Sequence, residues 1–498
     1  MSKKGKVAGL VDRFIEGFAS DKMNIEDGEQ IIAQLEGLSD EAVPYAARKL
    51  TSLDEDARVA VLVLLRELGD ARAVRPLRRM LRQPDYSDRE KLMVIQTLEA
   101  LGTPIDEATF HRVIADPEAL VKNSMQQMLA TIQDPEQVEA FLGVMGESPP
   151  EMLGLYVHEM LAPLADRRLL LLLTTLFHNE SDDVIVAAID AVERMKEPAT
   201  ISLLEERAQY DPSPVVRHAA ENAALRLRTR IGAPSEESLP LPWIVPSPLP
   251  LVHCLLCTMD GSGGQVLLVV REQPDGNLQT LDLMFNDHEG IKDCFSLVLD
   301  EDGLEEMVDS FGSADFVDVS LERARAEVAR AYQVTFDARR RLPPALMAWK
   351  GWLEGDDPRP VDEFPLPSLE PSRQAELLAE CAELLDLEEF DFWFFNPDEV
   401  KPFISRYRKL FRKGLAEDGN AEFEALLDQA IKSLVDEKYR RLLADRLRRQ
   451  AWLLAQLYED EEMPLWALAA AVALEEGVVI EHPFLREMMD YSFINAVR

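Results

Sequence analysis

The chain of 498 residues has only four cysteines, Cys254, Cys257, Cys294 and Cys381. They are too few and too clustered to staple a protein of this size with disulfides, so a reducing compartment is expected. Long apolar runs are also missing. The longest, over 169–177 and 465–474, fall well short of the roughly 20 residues that cross a bilayer. Membrane insertion is not expected. The opening MSKKGKVAGLVDRF is basic, but Asp12 and Arg13 interrupt the apolar stretch that a secretory signal needs. Together these absences predict a cytoplasmic protein. Positive charge is scarce as well: 53 Lys and Arg face 91 Asp and Glu, a formal net charge of -38. Such a surface repels phosphate backbones and anionic lipid at long range, which disfavours nucleic acid and favours a basic protein as partner. Catalytic signatures are absent too. No HExxH, nucleophile elbow or GxGxxG occurs, and the histidines are scattered, so neither an enzyme nor a cofactor is expected.

What the chain does contain is a repeat. Residues 56–81, DARVAVLVLLRELGDARAVRPLRRML, read as two short amphipathic helices joined by a Gly-Asp turn. Laid without a gap on 183–208, their apolar sites coincide: Ala60 on Ala187, Leu68 on Met195, Val74 on Ile201 and Leu77 on Leu204. Recurring helix pairs predict stacked repeats. About six units of 31 to 33 residues fit between 54 and 230, starting near Asp54, Ser87, Glu118, Glu151, Ser181 and Ser213. The middle units rest on apolar spacing alone. Residues 7–50 have helical periodicity without the repeat pattern, as expected of a terminal cap.

The set Arg58, Ala60, Leu65, Leu68, Gly69, Asp70, Arg72, Ala73, Val74, Pro76 and Leu77 resembles the HEAT repeat, in the HEAT-like form also found in phycobilisome lyases. That resemblance implies an α-α solenoid and, as HEAT repeats generally do, a role in protein interaction or assembly. It names no partner.

Composition then changes. Prolines at 234, 240, 242, 246, 248 and 250 deny a helix and mark a linker, 233–250, whose Trp243, Ile244 and Val245 are apolar enough to dock on a neighbouring domain. Residues 251–355 alternate extended segments with DGSGG and PDGN turns, the pattern of an antiparallel meander in a small α+β module. Helices over 303–311 and 321–332 are expected to cover one face. A second proline-rich linker, 356–372, leads to a helical domain, 373–498, of about five helices. The expected fold is therefore multidomain and mainly α: a solenoid over 1–232, the α+β module, then the helical domain.

Three places carry candidate chemistry. Asp287, His288 and Glu289 concentrate a base and an acid in one loop, although Asn, Asp and Gly are also ordinary turn residues. His253, Cys254 and Cys257 are zinc-type ligands. On a strand, however, the two thiols would point to opposite faces, and the Cys254–Cys257 spacing then fits buried structural cysteines better. The glycine-rich loop 260–264 joins two strands and lacks the following Lys and Ser or Thr of a phosphate loop, so it reads as a hairpin turn.

Residues 401–413, KPFISRYRKLFRK, contain no acid, and Phe403, Tyr407 and Phe411 recur every four positions. Exposed, this helix would suit an acidic partner through Lys401, Arg408 and Arg412. The plainer reading makes the aromatic stripe core and lets the acidic segment 376–389 neutralise the bases. Arg440, Arg441, Arg446, Arg448 and Arg449 form a second basic island, read as a bundle helix. In the first helix pair, Arg58, Arg72 and Arg75 are candidates for partner contact. The expected function is a non-catalytic scaffold or adaptor whose acidic solenoid binds a basic protein. The alternative is a small-molecule or metal-dependent enzyme, or a lyase-type chaperone, acting near Asp287 to Glu289.

Overall fold

The computed structural model describes residues 3–20, 23, 25–146, 148–231, 243–312, 314–354, 366–417, 419–458 and 462–497. It is mainly helical, with one five-stranded antiparallel sheet in the middle of the chain. Its contacts divide it into residues 1–130 and 131–498.

In the first unit, α1 (Lys3–Ala19), α2 (Ile25–Glu36) and α3 (Ser39–Lys49) precede the helix pairs α4 (Glu55–Glu67) with α5 (Val74–Met80) and α6 (Asp88–Ala100) with α7 (Glu107–Val113). The helix α8 (Pro117–Thr131) runs across the division. Local chemistry sets these boundaries. Asp54 accepts from Ala57 N at 3.0 Å and starts α4. Gly69, at φ +60, takes the left-handed turn that ends it, and Asp70 accepts from Arg72 N to start a 3-10 turn into α5. Ser87 and Glu90 form a reciprocal capping box on α6. Each cap stabilises its helix by about 1 kcal/mol. Val7, Val11 and Phe14 of α1 share one core with Val43 and Ala46 of α3, Ala60 and Leu64 of α4 and Leu77 of α5. The opening helices therefore share the core of the first repeat.

In the second unit, α9 (Pro135–Gly146), α10 (Pro150–Tyr156), α11 (Leu170–Leu176), α12 (Asp182–Met195), α13 (Thr200–Tyr210) and α14 (Pro214–Ile231) continue the alternation. A π-helical turn, Val157–Leu161, extends α10. First helices of the pairs begin at 55, 88, 117, 150, 182 and 214, each within one residue of an expected start. Polar bonds repeat with the same period. Arg58 reaches Glu90 at 2.6 Å and Ser87 reaches Glu55 at 3.4 Å, each pair 32 residues apart. Ser213 reaches Asp182 at 2.5 Å across 31 residues, and Arg226 reaches Glu193 at 2.7 Å across 33. Corresponding helix ends therefore lie side by side within each unit.

The sheet comprises β1 (Leu251–Cys257), β2 (Gly264–Glu272), β3 (Leu278–Asn286), β4 (Gly290–Leu299) and, after α15 (Glu301–Asp309), β5 (Phe316–Asp318), in the order β4-β3-β2-β1-β5. Four strands were expected; the fifth is three residues long, too short for alternation to reveal. Leu268 pairs with Leu255 and Asp282, so these and Val266, Val270 and Cys257 share a face, which α15 covers with Leu304. The opposite face, with Leu267, Val269, Leu281 and Leu283, is also buried. There α16 (Leu321–Asp337) and α17 (Pro344–Trp349) pack on β4. Cover on one face was expected, but nearly every residue of β2 is buried, as a strand enclosed on both sides requires.

Six α-helices follow among the described residues, one more than expected: α18 (Gln374–Glu380), α19 (Pro397–Arg412), α20 (Ala421–Leu434), α21 (Glu437–Leu457), α22 (Glu462–Glu476) and α23 (Pro483–Val497). Phe390, Trp393, Phe423, Leu447, Leu474, Phe484 and Phe493 form their shared core. Residues 233–242 and 356–365 of the two expected linkers lie outside the described residues.

One buried acid gives the sheet a pH signature. Asp282 is 2% exposed and its Oδ1 has no hydrogen-bond partner among the described residues; burial, reinforced by Asp293, pushes its pKa up to about 6. The folded state then holds this proton more tightly than the unfolded chain. Stability is highest below the unfolded pKa of about 4 and declines as pH rises to about 6, by about 1–3 kcal/mol. Asp282→Asn is expected to flatten that decline in urea melts at pH 4.5 and 6.5. An unchanged slope would remove Asp282 as its source.

Candidate interaction surfaces

Asp287, His288 and Glu289 are neighbours in sequence with different surroundings. The Asp287 side chain is buried and held by Arg446 of α21, with Nε to Oδ2 at 2.6 Å and Nη2 to Oδ1 at 2.9 Å. His288 faces solvent and reaches Asp287 at 3.3 Å, while half-exposed Glu289 pairs with Lys292 at 2.8 Å and Arg340 at 3.3 Å. Asp287 thus has both oxygens bonded to the guanidinium. The same Arg446 takes the carbonyls of Gly261 and Ser262. Loop 260–264 thus offers carbonyl oxygens to a cation, the reverse of an anion cradle. Its Gly263, at φ +86, lies against the Asp287 carboxylate, where any Cβ would collide.

His253 Nδ1 lies 2.8 Å from Asp318 Oδ2 on the neighbouring strand. Cys254 and Cys257 are both buried and point to opposite faces of the sheet. The Cys257 sulfur accepts from Val266 N at 2.9 Å, and burial pushes its thiol up to about 12. The three therefore do not converge. Among the described residues no group of three or more His, Cys, Asp or Glu could hold a metal ion, and no helix is long and apolar enough to cross a membrane.

The second helices of the pairs in 131–231 are closed off by the chain itself. All seven residues of α11 are buried, because α12 lies on one side and α17 on the other. This explains the apolar run at 169–177. Trp349 of α17 donates to Glu139 of α9 at 2.7 Å, and Phe336 of α16 stacks on Tyr210 of α13 with centroids 4.8 Å apart. Arg341 reaches Asp182 at 2.6 Å and Asp211 at 3.0 Å. Trp243 donates to Thr174 at 3.2 Å, so the end of the first linker docks on α11.

The first helices remain open. Between α10 and α12 lies a groove of about 340 Å³ lined by Glu151, Leu155, His158, Asp183, Val186 and Asp190. Leu155 is 53% exposed there and Met152, three residues earlier on α10, 57%. Glu151, Asp183 and Asp190 have no ion pair among the described residues. Residues 147–224 match the family model of HEAT repeats. No match to a curated protein was found. The HEAT region thus presents an acidic, partly apolar groove on its first helices and has its second helices covered by the sheet module.

Two basic surfaces complete the picture. On α19 the aromatic stripe divides: Phe403 and Tyr407 are core, but Phe411 is 62% exposed. The acidic segment 376–389 does not neutralise this helix as expected. Its Glu380 accepts from Trp466 and its Glu389 from Tyr458. Arg408, Lys409, Arg412 and Lys413 are exposed without an ion pair among the described residues, and Lys401 has only Asp398, at 4.0 Å. By contrast, all five arginines of the second basic island bind within the chain. In the first helix pair, Arg58 is engaged by Glu90 and the carbonyl of Leu53, and Arg72 by Asp70 and Asp40. Arg75 is free of both.

Proposed function

We propose that the chain is a non-catalytic scaffold whose HEAT region holds a basic segment of a protein partner in the groove between α10 and α12. The observation carrying this reading is the closure of the second helices by α16 and α17, which leaves the first-helix groove as the accessible ridge of these repeats. Three carboxylates without ion pairs around exposed Leu155 suit a segment that alternates bases with an apolar anchor. HEAT repeats in general serve protein interaction, which is fold analogy and identifies no partner.

The full chain is the right bait, because a cut between 231 and 251 would strip cover from α11. Captured from lysate at low salt, a basic partner should be lost at about 0.5 M, where surface electrostatics are screened. Asp183→Lys with Asp190→Lys should weaken the same capture by about tenfold or more, the effect of reversing close charges at an interface. Equal capture by the variant would place the partner elsewhere. No salt-sensitive capture by either chain would end the proposal.

A further inference from the structure

The second helices of the first unit carry the opposite charge. In α3, α5 and α7 the last turn holds Arg48 and Lys49, then Arg78 and Arg79, then His111 and Arg112. Arg48, Arg79 and Arg112 stand 31 and 33 residues apart, one repeat each, and all are exposed. Arg72 bonds Asp40, so the start of the 3-10 turn before α5 lies beside the start of α3. Arg75 on α5 and Arg82 in the turn after it add to the series. Among the described residues Arg48, Arg75, Arg78, Arg79, Arg82 and Arg112 have no ion pair.

Folding alone accounts poorly for this placement. A helix dipole favours bases in a last turn by about 0.3–1 kcal/mol, but Arg75 sits in the first turn of α5, where the same dipole opposes it. Arg75, Arg78, Arg79 and Arg82 also repel one another at three- and four-residue spacing, by a few tenths of a kcal/mol per pair. A bound anion would reverse both costs.

We infer that this edge, built from Arg48, Arg75, Arg78, Arg79, Arg82 and Arg112, docks an extended acidic polypeptide laid across the three helices. Helix axes about 8–10 Å apart make a path of about 20 Å, the length of roughly six extended residues. Arginine forks bind carboxylates through two parallel bonds, which suits Glu and Asp side chains. Residues 1–130 hold 18 Lys and Arg against 22 Asp and Glu, so nearly all the surplus negative charge lies in 131–498.

The test is fluorescence anisotropy on the full chain at about 0.1 M salt, with a labelled ten-residue Glu and Asp peptide as probe. Saturable binding is expected, weakened about tenfold or more by Arg78→Glu with Arg79→Glu, and less by the neutral pair Arg78→Gln with Arg79→Gln. Circular dichroism melts confirm that each variant is folded. Arg408→Glu with Arg412→Glu on α19 should leave binding unchanged. The inference is overturned if the peptide does not saturate, if the α19 variant abolishes binding, or if duplex DNA binds more tightly through the same arginines. This edge belongs to a different unit from the groove of α10 and α12, so its failure leaves the proposed function standing.

Discussion

Arg446→Ala should lower the unfolding free energy by about 3–5 kcal/mol, the cost of breaking a buried ion pair from one side. The Arg446 side chain is 4% exposed and that of Asp287 2%. One guanidinium satisfies both oxygens of Asp287 and the carbonyls of Gly261 and Ser262, tying helix α21 to the β1–β2 hairpin and to the turn after β3. Around it, Met259 N donates to Gln450 at 3.0 Å and Trp393 donates to Met259 O at 3.0 Å. Alanine takes the guanidinium from a buried carboxylate and from the Gly261 carbonyl, while the Ser262 carbonyl keeps Asn286 Nδ2 at 3.1 Å. Lysine offers no planar fork, so Arg446→Lys should recover only part of the loss. Adding Asp287→Asn to Arg446→Ala removes the orphaned charge and should restore stability relative to the single variant. Urea unfolding of the four chains measures this. A loss under about 1 kcal/mol for Arg446→Ala would mean that solvent, rather than the ion pair, satisfies the loop.

Trp349→Ala is expected to cost about 3–5 kcal/mol, the usual range for deleting a buried aromatic side chain. Trp349 is 1% exposed, stacks edge-on with Trp352 at 5.2 Å and donates to Glu139 on the second-helix layer. Burial raises the pKa of Glu139, and the indole bond works against that rise. Without the indole Glu139 keeps the Ser296 backbone bond but loses its side-chain donor, and the cover over α11 is breached. Trp349→Phe keeps most of the bulk but loses the bond, and should cost nearer 1–2 kcal/mol. Chemical melts measure the loss, and limited proteolysis should show faster cleavage between α14 and β1. Unchanged proteolysis with a full loss of stability would place the damage in α17 alone.

The repeat was legible because its signals are local. Apolar spacing, the Gly69-Asp70 turn and the caps at Asp54 and Ser87 act within a few residues, so all six first helices could be located to within one residue. The hairpins were legible through their turns for the same reason. The candidate sites were not. Asp287 looks like a free acid in a loop until α21, some 160 residues later, supplies Arg446. The island at 440–449 looks like surplus charge until each arginine finds an acceptor elsewhere in the chain. On α19 a four-residue spacing put Phe411 on the same face as Phe403 and Tyr407, yet the core ends before it. Only the neighbouring helices decide where that boundary falls.

By itself the sequence determined the helix pairs and their period, the order of the first four strands, and the charge of the surface. These depend on side-chain pattern and on contacts within one turn or one repeat. The tertiary structure decided which faces remain open. The sheet module lies on the second helices at 131–231, so the acidic groove on the first helices is exposed while α11 is sealed. It also separated arginines engaged by acids, such as Arg58, Arg72 and Arg446, from those left facing solvent, such as Arg75, Arg79 and Arg408. Charge and polarity are properties of a residue; availability is a property of everything packed around it.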